Sequence, residues 1–445
     1  MPLTRRAAIT GALAYSRILG ANDRIGVGFI GYGLIGAQHV YDFKDQPDTD
    51  LVGLADCYQP RLEAGLKACG ANARGYADFR RLLDDKHVDA IVVCTPDHWH
   101  ALMTMMACAA GKDVYVEKPM TLFVREGRWM TQVARRHNRI VHVGVQQRSG
   151  KHYQAARDLV RSGYLGKVHS VRAAAFRNIM PGFKPDASRV DPKEFDYEMW
   201  LGPAPKREYT PLRGIYHFRW FWDYSGGQMT NLGAHQVDIA HWYLDLAGPR
   251  RVASFGGRYA LEDGGETPDT QDALFDYGAL TMLWSHREAS AGSRAGAGLE
   301  VFGTKGSLVI GRTGFRVLGD AKIPTENAVP RFAGGDLPGA PERTSAPAEK
   351  WIEPRQMDGS SPQQFHEHAR NFLDAVKSRQ RSIADVEEGH RVATACHLAN
   401  ISLRLGRQIV WDAQREEIVN DREAAAMLER PYRAPWDIVL QSLVK

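Results

Sequence analysis

The chain has 445 residues, and at roughly 150 residues per domain this length predicts two or three domains. Its 44% hydrophobic and 24% charged residues are typical of a globular protein, and its net charge of +5 is spread along the chain without the basic stripe that a nucleic-acid partner requires. The five cysteines have neither CxxC nor metal-ligand spacing, so we expect neither a disulfide framework nor a cysteine metal site.

Residues 1–22 form a distinct N-terminal segment. Thr4-Arg5-Arg6 precedes a stretch of mostly small and apolar residues, which resembles a twin-arginine signal for export of folded proteins to the bacterial periplasm. Arg17 interrupts this stretch, and the alternative is a disordered tail on a cytoplasmic protein. We expect periplasmic export. No run reaches the roughly 18 apolar residues of a membrane span, so we predict no membrane insertion.

Residues 23–146 alternate between apolar strands and helices, which predicts an α/β fold with a doubly wound parallel sheet, the Rossmann domain. The first apolar run ends in GYGLIG, whose glycines are Gly31, Gly33 and Gly36. In such a turn the first glycine makes the sharp bend, the second lets the backbone approach a pyrophosphate, and the third lets helix and strand pack closely. The helix N-terminus then offers N–H groups to the phosphates.

Asp56 indicates which dinucleotide binds. It ends the strand LVGLAD, 20 residues after Gly36, where a carboxylate accepts hydrogen bonds from the adenosine ribose and repels a 2′-phosphate. We therefore expect NAD rather than NADP, although Arg61 leaves NADP open. Ligands of this fold bind beyond the carboxyl ends of the strands, where TPDHWH (95–100) and EKP (117–119) lie. The predicted cofactor-binding residues are Gly31, Gly33, Leu34, Ile35, Gly36, Asp56, Thr95, Pro96, His98, His100 and Glu117.

Residues 147–445 are predicted to form a second, larger α/β domain. Short β-type runs such as VHSVRAAAFR, TQDALFDYG and ALTMLWSHR are separated by turns. Residues 312–362 are rich in Pro, Gly and Ala, which predicts a long surface excursion. Helical periodicity returns from Pro362 to Gly406, and PYRAPW near the C-terminus is typical of an irregular strap.

Taken together, these motifs resemble the Gfo/Idh/MocA oxidoreductases, the family of glucose–fructose oxidoreductase and inositol dehydrogenase. In chain order they are GYGLIG, Asp56, TPDHWH, EKP, GVQQR (144–148), GGQMTNLGAHQVD (226–238), VFGTKGSL (301–308) and FHEHARNFLDAV…VEEGHR…WD. The resemblance implies a C-terminal α+β domain whose open, mostly antiparallel sheet covers the nicotinamide, and homo-oligomers, either dimers or tetramers. It also implies hydride transfer between NAD(P) and a secondary alcohol of a sugar, sugar derivative or cyclitol.

Three residues are predicted to be catalytic. The resemblance places a substrate lysine at Lys118, where burial near a cationic nicotinamide should lower the lysine pKa, and it implies a cis bond to Pro119. Oxidation of an alcohol requires a base within hydrogen-bonding reach of the hydroxyl, and His235 is the predicted base. Asp238 lies three residues further on, shares a helix face with His235, and is expected to orient the imidazole or to bind substrate.

Asn231 departs from the family pattern, in which many members carry aspartate. An amide can bind a sugar hydroxyl but cannot accept a proton, so more of the proton transfer falls on His235. The other predicted substrate ligands are Arg148, His217 and Trp222. Trp222 belongs to the aromatic run YHFRWFWDYSGG (216–227), which fits a saccharide platform and core packing equally well.

The histidines do not establish the three or four converging ligands of a zinc site, so we predict no metal. Three functions remain. The first is a dehydrogenase that exchanges its nucleotide freely. The second is an enzyme that retains NAD and uses it twice, as a sugar–sugar oxidoreductase or an oxidative glycosidase. The third is a non-catalytic dinucleotide sensor, which intact Lys118 and His235 disfavour.

Overall fold

The computed structural model describes residues 24–184, 190–292, 298–323 and 349–445, and its N-terminal part is a six-stranded parallel sheet. The strand order β3-β2-β1-β4-β5-β6 reverses its winding between β1 and β4, which confirms the predicted doubly wound Rossmann fold. The strands are β1 (Ile25–Ile30), β2 (Thr49–Ala55), β3 (Arg74–Tyr76), β4 (Ala90–Val93), β5 (Asp113–Glu117) and β6 (Val141–Gly144). The helices are α1 (Leu34–Lys44), α2 (Gln59–Cys69), α3 (Phe79–Asp84), α4 (Asp97–Ala109) and α5 (Val124–Arg136).

The central strands are buried along their whole length because helices cover both faces of the sheet. Every residue of β1, β4 and β5 is buried. The point where the winding reverses leaves a cleft beyond the carboxyl ends of β1 and β4, which is where ligands of such sheets bind.

The C-terminal part is built on an eleven-stranded sheet in the order β15-β14-β13-β12-β7-β10-β9-β8-β16-β17, with β11 paired to β7. All of these pairings are antiparallel except that of β7 with β10, so the predicted mostly antiparallel sheet is confirmed. The strands are β7 (Val168–Asn178), β8 (Arg251–Gly257), β9 (Thr270–Asp276), β10 (Thr281–Arg287), β11 (Ala289–Ser290), β12 (Gly298–Gly303), β13 (Gly306–Gly311), β14 (Gly314–Gly319), β15 (Arg355–Asp358), β16 (Ile409–Asp412) and β17 (Glu417–Ile418). The helices are α6 (Lys151–Arg161), α7 (Tyr197–Leu201), α8 (Ala234–Leu244), α9 (Ser361–Ser378), α10 (Val386–Leu405), α11 (Arg422–Ala426) and α12 (Trp436–Val444).

We had expected residues 312–362 to be a surface excursion throughout, but part of this range belongs to the large sheet. β14 and β15 pair at one edge of the large sheet, and residues 324–348 lie outside the described part of the chain. The alternation of buried Phe315 and Val317 with exposed neighbours is the signal of β14, and the surrounding Gly and Pro residues obscured it.

Elements from the C-terminal part also complete the Rossmann core. Phe372 and Leu373 of α9 belong to the buried cluster that contains Phe29 and Phe43. The PYRAPW segment has no regular structure and leads into α12, where the Trp436 ring lies 4.8 Å from that of Trp99, between ring centroids. Cofactor-binding and C-terminal elements therefore share hydrophobic cores, which fixes their relative position.

The predicted export signal at residues 1–22 lies outside the described part of the chain and stays a prediction. Among the described residues, no helix combines the length and the apolar character that crossing a membrane requires.

Candidate active site

A cleft with an empty volume of about 840 Å³ lies at the point where the sheet reverses. Its walls include Gly31, Gly33, Leu34, Ile35, Asp56, Thr95 and Pro96, all of them predicted cofactor-binding residues. The C-terminal part contributes a further wall, formed by Met199, Trp200, Ile215, Tyr216, Phe218 and Arg219.

The three glycines of the first turn differ in their surroundings, and the motif predicts a separate role for each. Gly31 has φ of +93°, and a Cβ there would lie 2.8 Å from the carbonyl oxygen of Cys94. A Cβ on Gly36 would lie 2.3 Å from the carbonyl oxygen of Gly31, so Gly36 permits packing and does not face the cleft. A Cβ on Gly33 would meet no atom nearer than Arg61 Nη1 at 3.7 Å. The backbone at Gly33 is therefore open to a pyrophosphate at the N-terminus of α1.

Asp56, which the sequence analysis predicted to bind the adenosine ribose, lies in the wall of the cleft. One carboxylate oxygen accepts a hydrogen bond from the backbone N–H of Tyr32 at 2.8 Å, and the other accepts from that of Tyr58 at 2.9 Å. These bonds hold the carboxylate in the cleft wall, and each oxygen keeps a lone pair for a ribose hydroxyl. Burial raises the pKa of Asp56, while the two N–H groups and Arg61 oppose that rise. The turn and this carboxylate together fit NAD.

Residues 190–224 cover the outer side of the cleft, a contribution that the sequence analysis missed. The backbone of this covering segment pairs with the loop after β2, where Gln59 N donates to Glu194 O at 2.8 Å and Asp196 N donates to Cys57 O at 2.9 Å. The Trp99 indole N–H donates to Trp200 O at 2.9 Å. The segment is thus tied to the Rossmann part on both sides of the cleft.

Two histidines predicted to bind the cofactor instead hold backbone segments together, and neither lines the cleft. His98 Nε2 lies 2.9 Å from the Trp200 carbonyl oxygen, and burial lowers the pKa of His98 to about 3. His100 Nδ1 lies 2.7 Å from Pro119 O, and its Nε2 lies 2.8 Å from Thr95 O. His100 therefore connects the turn after β4, which lines the cleft, to the turn after β5, which carries Lys118.

Glu117 was also predicted to bind the cofactor, but it lies beneath the site. Its Oε1 accepts hydrogen bonds from Gln146 Nε2 at 2.8 Å and lies 2.7 Å from His39 Nε2. Burial would raise the pKa of Glu117, but the contact with His39 and the charge of Lys118 lower it below its ordinary value. Glu117 is an ionised, fully hydrogen-bonded support for the turn after β5.

Lys118 and Asn231 meet at this turn. The Lys118–Pro119 peptide is cis, as the resemblance implied. Lys118 Nζ donates to Asn231 Oδ1 at 2.9 Å and to Asn231 O at 3.2 Å. Asn231 lies in a π-helical turn, Met229–Gly233, an irregularity that is frequent at functional sites. The pKa of Lys118 is lowered to about 8, chiefly by burial; the charges of Arg219 and Arg312 also lower it, while those of Glu117 and Asp97 oppose the fall.

His235 is the second residue of α8 and lies one turn after Asn231. The side chain is buried, and its Nδ1 has no hydrogen-bond partner among the described residues. Burial, followed by the charges of Lys118 and Arg312, lowers the pKa of His235 well below its ordinary value. The imidazole is therefore neutral at physiological pH, the state in which a base accepts a proton.

Asp238 and Arg148 pair with each other, whereas we had expected Arg148 to bind substrate and Asp238 to orient the imidazole or to bind substrate. Arg148 Nη2 and Nε donate to Asp238 at 2.7 and 2.9 Å, while Nη1 donates to Ile383 O at 2.8 Å and pairs with Glu388. Both side chains are almost completely buried. A guanidinium whose donors are all engaged by protein groups has none left for a ligand, so the pair has a structural role and does not orient His235.

The aromatic run at 216–227 is mainly core. Phe218, Trp220, Phe221 and Tyr224 belong to one buried cluster. His217 is buried against Phe183, with ring centroids 4.3 Å apart. Trp222 lines a separate cavity and stacks under Arg404 at 5.1 Å. The structure therefore places neither His217 nor Trp222 beside Lys118, whereas Tyr216 and Phe218 of the same run line the cleft.

Two further residues were not identified from the sequence. Gln147 Nε2 donates to the Tyr153 hydroxyl at 2.8 Å, and its buried Oε1 has no partner among the described residues. Arg312, at the tip of the β13–β14 hairpin, acts electrostatically on Lys118, His235 and Tyr153. Within the described ranges no cluster of three or more His, Cys, Asp or Glu is arranged to hold a metal ion.

Both parts of the chain match models of known protein families. Residues 25–145 match the model of an oxidoreductase family with an NAD-binding Rossmann fold. Residues 151–253 and 357–438 match the C-terminal α/β domain of that oxidoreductase family, and residues 205–309 match the GFO/IDH/MocA C-terminal domain.

Individual proteins are similar at lower identity. The chain is 25% identical over 286 residues to the myo-inositol 2-dehydrogenase of Thermotoga maritima, which covers 63% of this chain and 74% of that protein. The solved structure of GenD2 from gentamicin A biosynthesis in complex with NAD has a TM-score of 0.62 at 21% identity, covering 88% of this chain and 97% of that one. Levoglucosan dehydrogenase in complex with NADH and levoglucosan has a TM-score of 0.63 at 16% identity, covering 87% and 99%. These two structures share the fold.

Proposed function

Because the chain belongs to the Gfo/Idh/MocA family of NAD-binding oxidoreductases, we propose that it oxidises a secondary alcohol of a sugar, sugar derivative or cyclitol. The observation that carries the proposal is the contact between Lys118 and Asn231 beside His235. It brings a cationic hydrogen-bond donor and a neutral imidazole together next to a cleft that fits a dinucleotide. Two similar proteins are named for a cyclitol and for levoglucosan, which supports this substrate class.

The residues divide the reaction between them. The turn at Gly31–Gly36 and Asp56 would hold the NAD, which supplies the hydride acceptor when it is bound. Lys118 donates a hydrogen bond to the substrate oxygen and stabilises the negative charge that develops there. Neutral His235 accepts the hydroxyl proton. Asn231 binds a neighbouring hydroxyl and holds Lys118 in position through its side-chain oxygen.

The test replaces the two reacting groups one at a time. Lys118→Ala and His235→Ala should each lower kcat by at least about 100-fold, the usual contribution of a general acid or base, while NAD binding measured by calorimetry is retained. Lys167→Ala and His169→Ala are matched controls, because both residues are exposed and far from the cleft in sequence and sheet position. Turnover at the wild-type rate by either active-site variant would contradict the assignment. Absence of turnover by the wild-type protein, combined with tight NAD binding, would favour the dinucleotide sensor.

The covering segment, residues 190–224, favours a second candidate, an enzyme that keeps its NAD between turnovers. A nucleotide in the cleft would lie between the glycine turn and a wall that includes Trp200 and Arg219, so its release requires this segment to move. The protein is purified without added cofactor and denatured, and the supernatant is assayed for NAD(H). Near-stoichiometric release would support a sugar–sugar oxidoreductase or an oxidative glycosidase, whereas an empty protein that binds added NAD would support a simple dehydrogenase.

The outer face of the large sheet supports the expected homo-oligomer. Leu274 of β9 and Leu283 of β10 are directly paired and exposed, and Phe255 of β8 is 70% exposed. We propose that a second copy of the chain covers these apolar side chains. Light scattering should report a dimer or tetramer for the wild type and a smaller species for Leu274→Lys. A monomeric wild type would rule out the proposed homo-oligomer.

A further inference from the structure

Arg219 belongs to the covering segment and lines the cofactor cleft. It lies on a short 3₁₀ turn, His217–Trp220. Trp220 is buried in an aromatic cluster, and its carbonyl oxygen accepts hydrogen bonds from the backbone N–H groups of Glu266 and Thr267 at 2.7 and 3.1 Å. These contacts hold the turn, so the backbone of Arg219 has a fixed position in the cleft wall.

The Arg219 side chain packs against two rings of the same cleft wall. Its guanidinium carbon lies 4.5 Å from the ring centroid of Phe218 and 5.9 Å from that of Tyr216, and Nη1 donates to Tyr216 O at 3.4 Å. Among the described residues it has no carboxylate partner, whereas Arg207 of the same segment pairs with Asp223. A guanidinium carries five N–H donors, so most of those of Arg219 remain for a ligand.

The cleft around Arg219 has an excess of positive charge. The residues that line it include two arginines, Arg61 and Arg219, and one carboxylate, that of Asp56. Arg61 Nη1 lies 3.7 Å from the position that a Cβ on Gly33 would take, and Gly33 is where the backbone is open to a pyrophosphate. Helix α1, which begins there, has no side-chain cap and no acidic residue in its first turn, so its positive end is not neutralised by a side chain. The cleft is therefore suited to an anion.

We propose that Arg219 binds the pyrophosphate of NAD and so joins the covering segment to the cofactor. The pyrophosphate is the only anionic group of NAD, and arginine matches phosphate oxygens with two parallel N–H donors. The inference deepens the proposed function, since it names a residue that holds the NAD on which that function depends. The glycine turn contacts the pyrophosphate from the Rossmann part and Arg219 contacts it from the C-terminal part, so release of NAD requires that the Arg219 contact be broken.

The experiment measures nucleotide binding in the absence of substrate, so its result does not depend on turnover. Protein that has been freed of bound nucleotide with charcoal is titrated in a calorimeter with NAD, ADP-ribose and adenosine, using wild type, Arg219→Gln and Arg219→Lys. Arg219→Gln should weaken the binding of NAD and of ADP-ribose by about ten- to hundredfold, the range of hydrogen bonds to a charged group. It should leave the binding of adenosine, which has no phosphate, unchanged. Arg219→Lys keeps the positive charge and should retain part of the affinity.

Arg213→Gln is the matched control. Arg213 belongs to the same covering segment and lies over an aromatic ring, that of Phe221 at 5.4 Å, but it is not among the residues that line the cleft, so its loss should not change nucleotide binding. Wild-type affinity of Arg219→Gln for NAD and ADP-ribose, or an equal loss of affinity for adenosine, would overturn the inference and leave the proposed function intact. If the wild type binds neither NAD nor ADP-ribose, the proposed function fails and the inference fails with it.

Discussion

Replacing Asn231 by aspartate should raise the pKa of Lys118 and move the alkaline limb of the pH–rate profile upward. In the wild type, Lys118 Nζ lies 2.9 Å from a neutral amide oxygen, and its pKa is lowered to about 8. A carboxylate at the same place favours the charged lysine. An opposite charge in direct contact typically changes a pKa by roughly 1–3 units, equivalent to about 1.4–4 kcal/mol. The pKa of Lys118 in the variant should therefore lie roughly one to three units above its wild-type value.

The sign follows from the role proposed for Lys118. If Lys118 acts as a charged hydrogen-bond donor, kcat/KM falls as pH rises through its pKa, which for the wild type means above about pH 8. In Asn231→Asp the lysine stays protonated further into the alkaline range, so the high-pH limb shifts upward by at least roughly one unit. A cost is also expected at the optimum, because Asn231 Nδ2 donates to Gln228 Oε1 at 3.2 Å, and a carboxylate cannot make that bond.

The assay is kcat/KM as a function of pH, followed by NADH absorbance with the sugar that reacts best. Asn231→Ala removes the hydrogen bond to the charged lysine and should move the limb downward, opposite to aspartate. Asn178→Asp, at the exposed end of β7, adds the same charge elsewhere and should leave the profile unchanged. An unshifted alkaline limb in Asn231→Asp, or an upward shift of the acidic limb instead, would refute the reasoning, since the latter means that Lys118 works as a neutral base.

Two further predictions concern the cofactor and the core. Asp56→Ala should weaken NAD binding by about ten- to hundredfold, the value of the lost hydrogen bonds, and reduce discrimination against NADP in calorimetry; unchanged preference would mean that Asp56 does not contact the ribose. Arg148→Leu should destabilise the protein by about 3–5 kcal/mol, because it leaves the Asp238 carboxylate buried without its partner. Thermal unfolding should show a smaller loss for the double variant with Asp238→Leu, and equal melting temperatures for wild type and Arg148→Leu would disprove the structural role.

The predicted site residues that the structure gathers around one cleft are those fixed by local chain geometry. The positions of Gly31, Gly33 and Gly36 follow from a single turn, and Asp56 follows the next strand of the same sheet. The close approach of Lys118 and Asn231 joins residues 113 positions apart, and no local pattern in the sequence anticipated this contact. Local spacing therefore places the residues of the glycine turn and Asp56 together, but it does not identify contacts between distant segments.

Asp238 shows why the remainder could not be predicted. It lies three residues after His235, and helical spacing places both on one face, but sharing a face does not determine which partners are met. Arg148, 90 residues away, takes the carboxylate. In the same way, the sequence of the aromatic run at 216–227 fits either a saccharide platform or core packing, and tertiary packing buries most of its rings in the core. Arg312 lies in a segment whose composition resembles a loop, so nothing local indicated that its charge acts on Lys118 and His235.

The low pKa of His235 raises the question of how so weak a base can accept the hydroxyl proton. Burial is the main cause of the low pKa, and the positive charges of Lys118 and Arg312 add to it. The same charges stabilise an alkoxide on the substrate, so they lower the pKa of the hydroxyl as well as that of the imidazole. Proton transfer depends on the difference between the pKa of the hydroxyl and that of the imidazole. Positive charges that lower both pKa values change this difference less than they change either value. Aspartate in place of Asn231 would cancel part of this positive charge. We therefore infer that the neutral amide of Asn231 leaves the net positive charge of the site intact. Proton transfer from an activated alcohol to a weak base depends on that net charge.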